Sequence, residues 1–128
     1  MRLLLDTHAF LWWVINDGRL SRAAGQAIAD DENDVLVSAA AAWEIATKHR
    51  KGKLPEADPL VRDMTGTIAD QEFEELAVTV DDAARAGALP GPLRDPFDRM
   101  LIAQALSRNL VLISNESLFD RYGVTRLW

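Results

Sequence analysis

The sequence predicts an α/β protein: a mainly parallel sheet of four or five strands with helices on both faces. Three observations carry this. Short continuous apolar runs recur at Arg2 to Leu5, Val35 to Val37, Ala77 to Val80 and Leu110 to Ile113, with a fifth at Val124 to Leu127 closing the chain. Each of the first four is followed by a stretch with helical periodicity, the alternation that βαβ units produce. The 128 residues suit a single domain, 1–128, with one core, long enough to bury about two thirds of the unfolded surface.

Taken in order, the segment Ala9 to Ile15 is apolar nearly all round, which predicts a helix buried on more than one side, ended by Asn16-Asp17-Gly18. Ser21 caps a second helix reaching Ala29, followed by a solvated acidic loop from Asp30 to Asp34. Ser38 caps the helix Ala39 to Lys51, with Gly52 at the C′ position. The middle, Ala57 to Leu76, reads as a helix or two with an acidic tail of Asp70, Glu72, Glu74 and Glu75. Asp81 and Asp82 open a helix running to Ala88. Pro and Gly keep residues 87–96 irregular, and the chain then enters a strong helix start with Asp95 as N-cap, Pro96 at N1 and Asp98 at N3. After the fourth strand, Ser114-Asn115-Glu116 leads into a short helix, with Ser114 or Asn115 able to cap it.

Composition narrows the function. A net charge of −6 argues against coating nucleic acid by bulk electrostatics, so any such contact needs a local basic patch or a metal ion. The absence of cysteine excludes disulfides, thiolate metal sites and a Cys nucleophile. No apolar run approaches the ~18 residues of a membrane span, and Asp6 interrupts the only apolar stretch at the start, so a cytoplasmic protein is expected.

Four acids then stand out by position. Asp6 follows the first strand, where an open α/β sheet gathers its ligands, although an Asp there also makes a common N-cap. Glu44 has Ala40 and Ala41 one turn earlier, which leave its carboxylate accessible, while Trp43, Ile45 and Ala46 supply bulk to the packed side; the competing reading is a surface pair with Lys48 at i,i+4. Asp98 shares the inward stripe of its helix with Leu101, Ile102 and Ala105. A charge placed there needs a partner, unless it serves only to accept first-turn N–H groups. Glu116 repeats the pattern of Asp6 after the fourth strand. Converging carboxylates repel one another, and oxygen-only ligands suit Mg²⁺ or Mn²⁺.

The segments Leu3 to His8, Ser38 to Lys53, Leu89-Pro90 with Arg94 to Ala105, and Phe119 to Trp128 together resemble the PIN-domain ribonucleases, in particular the VapC-type toxins of bacterial toxin–antitoxin pairs. The resemblance implies a PIN-like fold in which Asp6, Glu44 and Asp98 hold Mg²⁺ or Mn²⁺, with Thr7 and Ser114 as supporting hydroxyls and Asn115 in the same turn. The family's fourth acid is usually an Asp. Here it is Glu116, one methylene longer, which places its ligation through water or removes it. Asp95 is a cap in this scheme. The resemblance further implies a homodimer, giving the Phe10, Trp12 and Trp13 helix a place for its apolar surface, and a small VapB-type antitoxin that blocks the acidic site with a basic side chain.

In this acidic chain the run Lys48, Arg50, Lys51 and Lys53, with His49, is the best local patch for RNA phosphates, although cations in a last helical turn also complement the dipole. The expected activity is endoribonucleolytic: metal-activated water attacks a phosphodiester and leaves a 5′-phosphate and a 3′-hydroxyl. Two alternatives stand beside it. Asp6 could be an aspartyl nucleophile, but His8 occupies the place where haloacid-dehalogenase-like phosphatases carry a second acid. The chain could also be a catalytically weakened acidic module that captures a basic antitoxin peptide.

Overall fold

A computed structural model describes residues Met1–Trp128. Its five strands are β1 (Arg2–Leu5), β2 (Asp34–Ser38), β3 (Glu74–Leu76), β4 (Val111–Ile113) and β5 (Thr125–Leu127). They pair in the order β3-β2-β1-β4-β5, every pair parallel. The chain builds outward from β1 through β2 to β3, then returns to the other side of β1 for β4 and β5. Strand order therefore reverses between β1 and β4, the place where such sheets open a crevice at their carboxyl ends.

Both faces of the sheet are covered. Leu3 and Leu5 of β1 join Val35, Val37 and Ile113 in one layer, while Leu4 joins Leu36 and Leu112 in the other. The first layer receives Phe10, Ile28, Ile45, Leu60 and Ile68, from helices α1 (Thr7–Val14), α2 (Arg22–Ala29), α3 (Ala39–Arg50), α4 (Asp58–Arg62) and α5 (Met64–Asp70). The second receives Leu101, Ile102 and Phe119, from α7 (Pro96–Arg108) and a 3-10 turn over Ser117–Tyr122, with α6 (Val80–Ala88) packed on α7. Each fully buried Leu or Phe contributes about 1.5–3 kcal/mol. The α/β architecture read from the sequence is the one observed.

The caps expected at Ser21, Ser38 and Asp95 hold, whereas neither Ser114 nor Asn115 caps the turn after β4, which has Glu116 at its N-cap position and no side-chain cap bond. Ser21 accepts the Ala24 N–H, Ser38 that of Ala40, and Asp95 those of Phe97 and Asp98. Asp6 accepts the Ala9 N–H at 2.7 Å, so α1 starts at Thr7 rather than Ala9.

Three expectations need correction. The third strand lies at Glu74–Leu76, not at Ala77 to Val80, so the supposed acidic tail of the middle helices supplies the edge strand. Thr79 and Asp82 form a reciprocal capping box that draws Val80 into α6, leaving Val80 largely exposed. Exposed Glu74 and Glu75 on this edge discourage pairing with another sheet. Trp43 does not pack inward: it is 67% exposed, and Ala46 is exposed too, while Ile45 is fully buried. Two residues along a helix turn through about 200°, so Trp43 and Ile45 sit on opposite faces. Phe10 and Trp12, conversely, are buried in the core, and Trp12 packs edge-on against Trp128, so α1 offers little of the surface assigned to a dimer.

Helices α6 and α7 are locked by a buried charge. Asp82, 2% exposed, is held by Arg108 through bonds of 2.9 and 3.0 Å and by Gln104 at 3.1 Å. The guanidinium first, then the Thr79 N–H and Gln104, hold its carboxyl well below the usual range. Arg108→Ala strands that charge and is expected to cost about 3 kcal/mol in urea unfolding. A loss below about 1 kcal/mol would transfer the role to Thr79 and Gln104.

Candidate active site

The carboxyl ends of β1, β2 and β4 and the first turn of α7 meet around one pocket of about 200 Å³, lined by Asp6, Thr7, His8, Glu44, Lys48, Asp95, Asp98 and Glu116. No apolar side chain borders it, and its charged wall holds five carboxylates against one ammonium. Asp6 enters from the reversal point itself, because its N–H still bonds the Ile113 carbonyl of β4 at 3.0 Å. Its side chain caps α1 and is 5% exposed, so the cap and the pocket acid are the same group. Burial raises its pKa, opposed by the Ser114 hydroxyl, the Ala9 N–H and His8, and reinforced by Glu44.

Glu44 is buried, 3% exposed, rather than accessible as its small neighbours suggested. The Thr7 hydroxyl donates to its Oε1 at 2.6 Å, and Lys48 Nζ contacts its Oε2. The pair with Lys48 therefore exists, but it lies inside the site and not on the surface. Asp98 accepts none of the first-turn N–H groups, because Asp95 takes them. Half-buried and facing other acids, Asp98 has its pKa pushed up to about 7 by burial first and then by Asp95, Glu44, Asp6 and Glu116. Glu116 stands exposed on the rim.

The supporting residues divide. Thr7 and Ser114 are buried and hold Glu44 and Asp6 respectively, and Ser114 Oγ also accepts the Glu116 N–H at 3.0 Å. Asn115 is exposed and lies outside the pocket wall. The basic run also splits: Lys48 points into the pocket, His49 pairs with Asp58 at 3.0 Å, and Arg50, Lys51 and Lys53 are exposed. The expected single patch is thus reduced to three cations, because helical rotation sends successive side chains to different faces.

Two residues were not recognised from the sequence. His8 borders the pocket from the first turn of α1, and its place two residues after Asp6 was the available signal. Arg99 is the other. Its guanidinium donates to the carbonyls of Ala86 at 2.9 Å, Leu93 at 2.8 Å and Gly87 at 3.3 Å, and also to Leu89. It ties the end of α6 to the loop that delivers Asp95 and Asp98. That loop is closed further by Tyr122, whose hydroxyl accepts the Leu93 N–H at 3.0 Å. At Gly91, φ is +93°, and a Cβ would lie 2.7 Å from the same hydroxyl, so only glycine fits.

A donor set dominated by mutually repelling carboxylates fits a hard divalent cation. Asp6, Glu44, Asp98 and Glu116 are the groups able to hold one, although no three acids stand close enough together to form a ready-made cage. Glu44 is turned to Lys48 and Asp95 to its helix N–H groups.

A parallel sheet that collects acids at its reversal point defines a class: α/β proteins with a carboxylate-rich pocket at the carboxyl ends of the strands. The PIN domain model matches residues 3–124, and the chain belongs to that family. It is 32% identical over 116 residues to Ribonuclease VapC22 of Mycobacterium tuberculosis, covering 89% of this chain and 86% of that protein. Among solved structures, VapBC2 from Rickettsia felis, bound to a DNA fragment from its promoter, superposes with a TM-score of 0.70 at 14% identity, covering 99% and 98% of the two chains. VapC20 of M. tuberculosis, described as a sarcin-ricin loop cleaving toxin, gives a TM-score of 0.67 at 14% identity, with 96% of each chain covered. At those identities the two structures speak for the fold. The chain is a homologue of a VapC ribonuclease.

Proposed function

We propose that this chain is a Mg²⁺- or Mn²⁺-dependent endoribonuclease and the toxin of a toxin–antitoxin pair, acting in the cytoplasm as one catalytic domain over residues 1–128. The observation that carries this is the pocket with five carboxylates and a single ammonium at the sheet's reversal point. A bound ion supplies Lewis acidity and a water of lowered pKa. Asp6, Glu44 and Asp98 are assigned to hold it, with Glu116 reaching from the rim.

The chain's own groups prepare the site. Ser114 and the Ala9 N–H orient Asp6, and Thr7 orients Glu44. Burial of Asp6 and Glu44 keeps bulk water from their carboxylates. Exposed Arg50, Lys51 and Lys53 at the end of α3 are assigned to RNA phosphates.

For partners, we assign a VapB-type antitoxin, in keeping with the VapBC2 neighbour from Rickettsia felis, and place one of its basic side chains in the acidic pocket, whose five carboxylates face a single ammonium. A homodimer contact is moved from α1 to the exposed Trp43, which packs on Phe97 at 5.0 Å beside an apolar groove of about 330 Å³. No helix is long and apolar enough to cross a membrane.

The test is cleavage of total RNA with end mapping, with and without chelator. Cleavage should need Mg²⁺ or Mn²⁺ and leave 5′-phosphate and 3′-hydroxyl ends. Chelator-insensitive cleavage, or 2′,3′-cyclic phosphate ends, would exclude this mechanism. Antitoxin binding with no Mn²⁺ or RNA affinity would instead make the chain an acidic capture module.

A further inference from the structure

The pocket's single ammonium has a place that neither a surface ion pair nor a phosphate patch explains. Lys48 leaves α3 one turn after Glu44 and lays its Nζ against Oε2 of a carboxylate that is 3% exposed. The other oxygen of that carboxylate already receives the Thr7 hydroxyl at 2.6 Å. Both oxygens of Glu44 are thus engaged, and the acid assigned to a cation holds one supplied by the chain. The Lys48 side chain is itself 33% exposed, so the ammonium, unlike the Glu44 carboxylate, is not sealed from solvent. The neighbouring cations do not share this position, since His49 turns to Asp58 and Arg50, Lys51 and Lys53 face solvent.

We propose that Lys48 is the resident counter-ion of this site: its ammonium competes with the divalent cation for Glu44, and once displaced to the pocket mouth it binds the phosphate of the RNA. This rests on the metal-dependent reading above. A divalent ion and an ammonium repel each other across one carboxylate, so occupancy by one opposes the other. Lysine suits an exchange of this kind because its charge sits on a flexible four-carbon stem and its donors rotate freely, whereas the planar fork of arginine is more rigid. The incoming polyanion then offers the displaced charge a new partner. The pocket accordingly passes from an internally neutralised state to an ion-loaded state with a cation at its entrance.

The experiment is a Mn²⁺ titration of the purified protein, with free Mn²⁺ read by electron paramagnetic resonance at low ionic strength, on wild type, Lys48→Met and Lys48→Arg. Lys48→Met should bind Mn²⁺ at least about tenfold more tightly than wild type, and Lys48→Arg no more tightly. Equal or weaker binding by Lys48→Met overturns the competition while leaving the metal reading intact. Failure of all three proteins to bind Mn²⁺ overturns both. At saturating Mn²⁺, Lys48→Met should raise KM for RNA about fivefold or more with a smaller change in kcat, the pattern of lost uniform binding; an unchanged KM overturns the phosphate role. Lys48→Gln, which keeps a hydrogen bond to Glu44 without the charge, should match Lys48→Met in both readouts. It serves in its place if circular dichroism shows that the methionine variant is misfolded.

Discussion

Asp98→Asn is expected to lower RNA cleavage by about 10³-fold or more while making the ion-free protein more stable. Both effects come from the same crowding. Burial and the acids Asp95, Glu44, Asp6 and Glu116 raise the Asp98 pKa from 3.8 to about 7. Because the folded pKa lies above the unfolded one, the folded state binds more protons between those values. The stabilising contribution of this group is fully present below pH 3.8 and is lost as pH rises through about 7. In chelator, the melting temperature of wild type should therefore fall between pH 5 and pH 8, and the burial-raised Asp6 adds in the same direction. Asparagine removes the Asp98 share of that slope and should raise the ion-free melting temperature at pH 8 by roughly 4 °C, equivalent to about 1 kcal/mol. Parallel melting profiles for the two proteins, or retained cleavage by the variant, would refute the assignment.

Arg99→Ala should damage both stability and cleavage from outside the pocket. It strands four carbonyl acceptors, of Ala86, Gly87, Leu89 and Leu93, and releases the segment that sets the start of α7. A loss of about 3 kcal/mol is expected, lowering the melting temperature by roughly 10 °C. Cleavage should also fall at temperatures where the variant is still folded, because Asp98 directly precedes Arg99 in the helix. Arg99→Lys should recover little of either quantity, since an ammonium cannot reproduce a planar fork directed at several carbonyls. Urea unfolding beside a cleavage assay at low temperature separates the two effects. A variant within about 1 kcal/mol of wild type would show that Tyr122 and Gly91 suffice to hold the loop.

The elements that could be read in advance are those specified by neighbours in the chain. Asp95, Pro96 and Asp98 announce the start of α7 because capping is settled within one turn, and the Leu3 to Leu5 run announces β1 because a strand buried on both faces has no polar position. The edge strand escaped the sequence reading because Glu74 and Glu75 are chosen by backbone partners on β2 and by exposure, not by β propensity. Trp43 misled through its size: a large apolar residue suggested core, whereas its helical phase opposite Ile45 places it outside. In the site, the three expected acids line one pocket with Glu116, as strand-end logic implied. The Glu44–Lys48 pair was legible from its i,i+4 spacing, but its burial inside the pocket and the grip of Arg99 depend on which elements lie across from them, which spacing along the chain does not contain.

The placement of β1 bears on synthesis as well as on the finished molecule. Asp6 directly follows β1, yet β4, which pairs with β1, and Ser114, which steadies the Asp6 carboxylate, follow much later in the chain. Pairing ends so distant in sequence is slow to nucleate and must await the late residues. A nascent chain from which β4 has not yet emerged therefore carries Asp6 without its companions, and the proposed nuclease cannot assemble its site before β4 and Ser114 are made. The proposed nuclease would thus be inert beside the RNA-rich machine that makes it until β4 has joined β1.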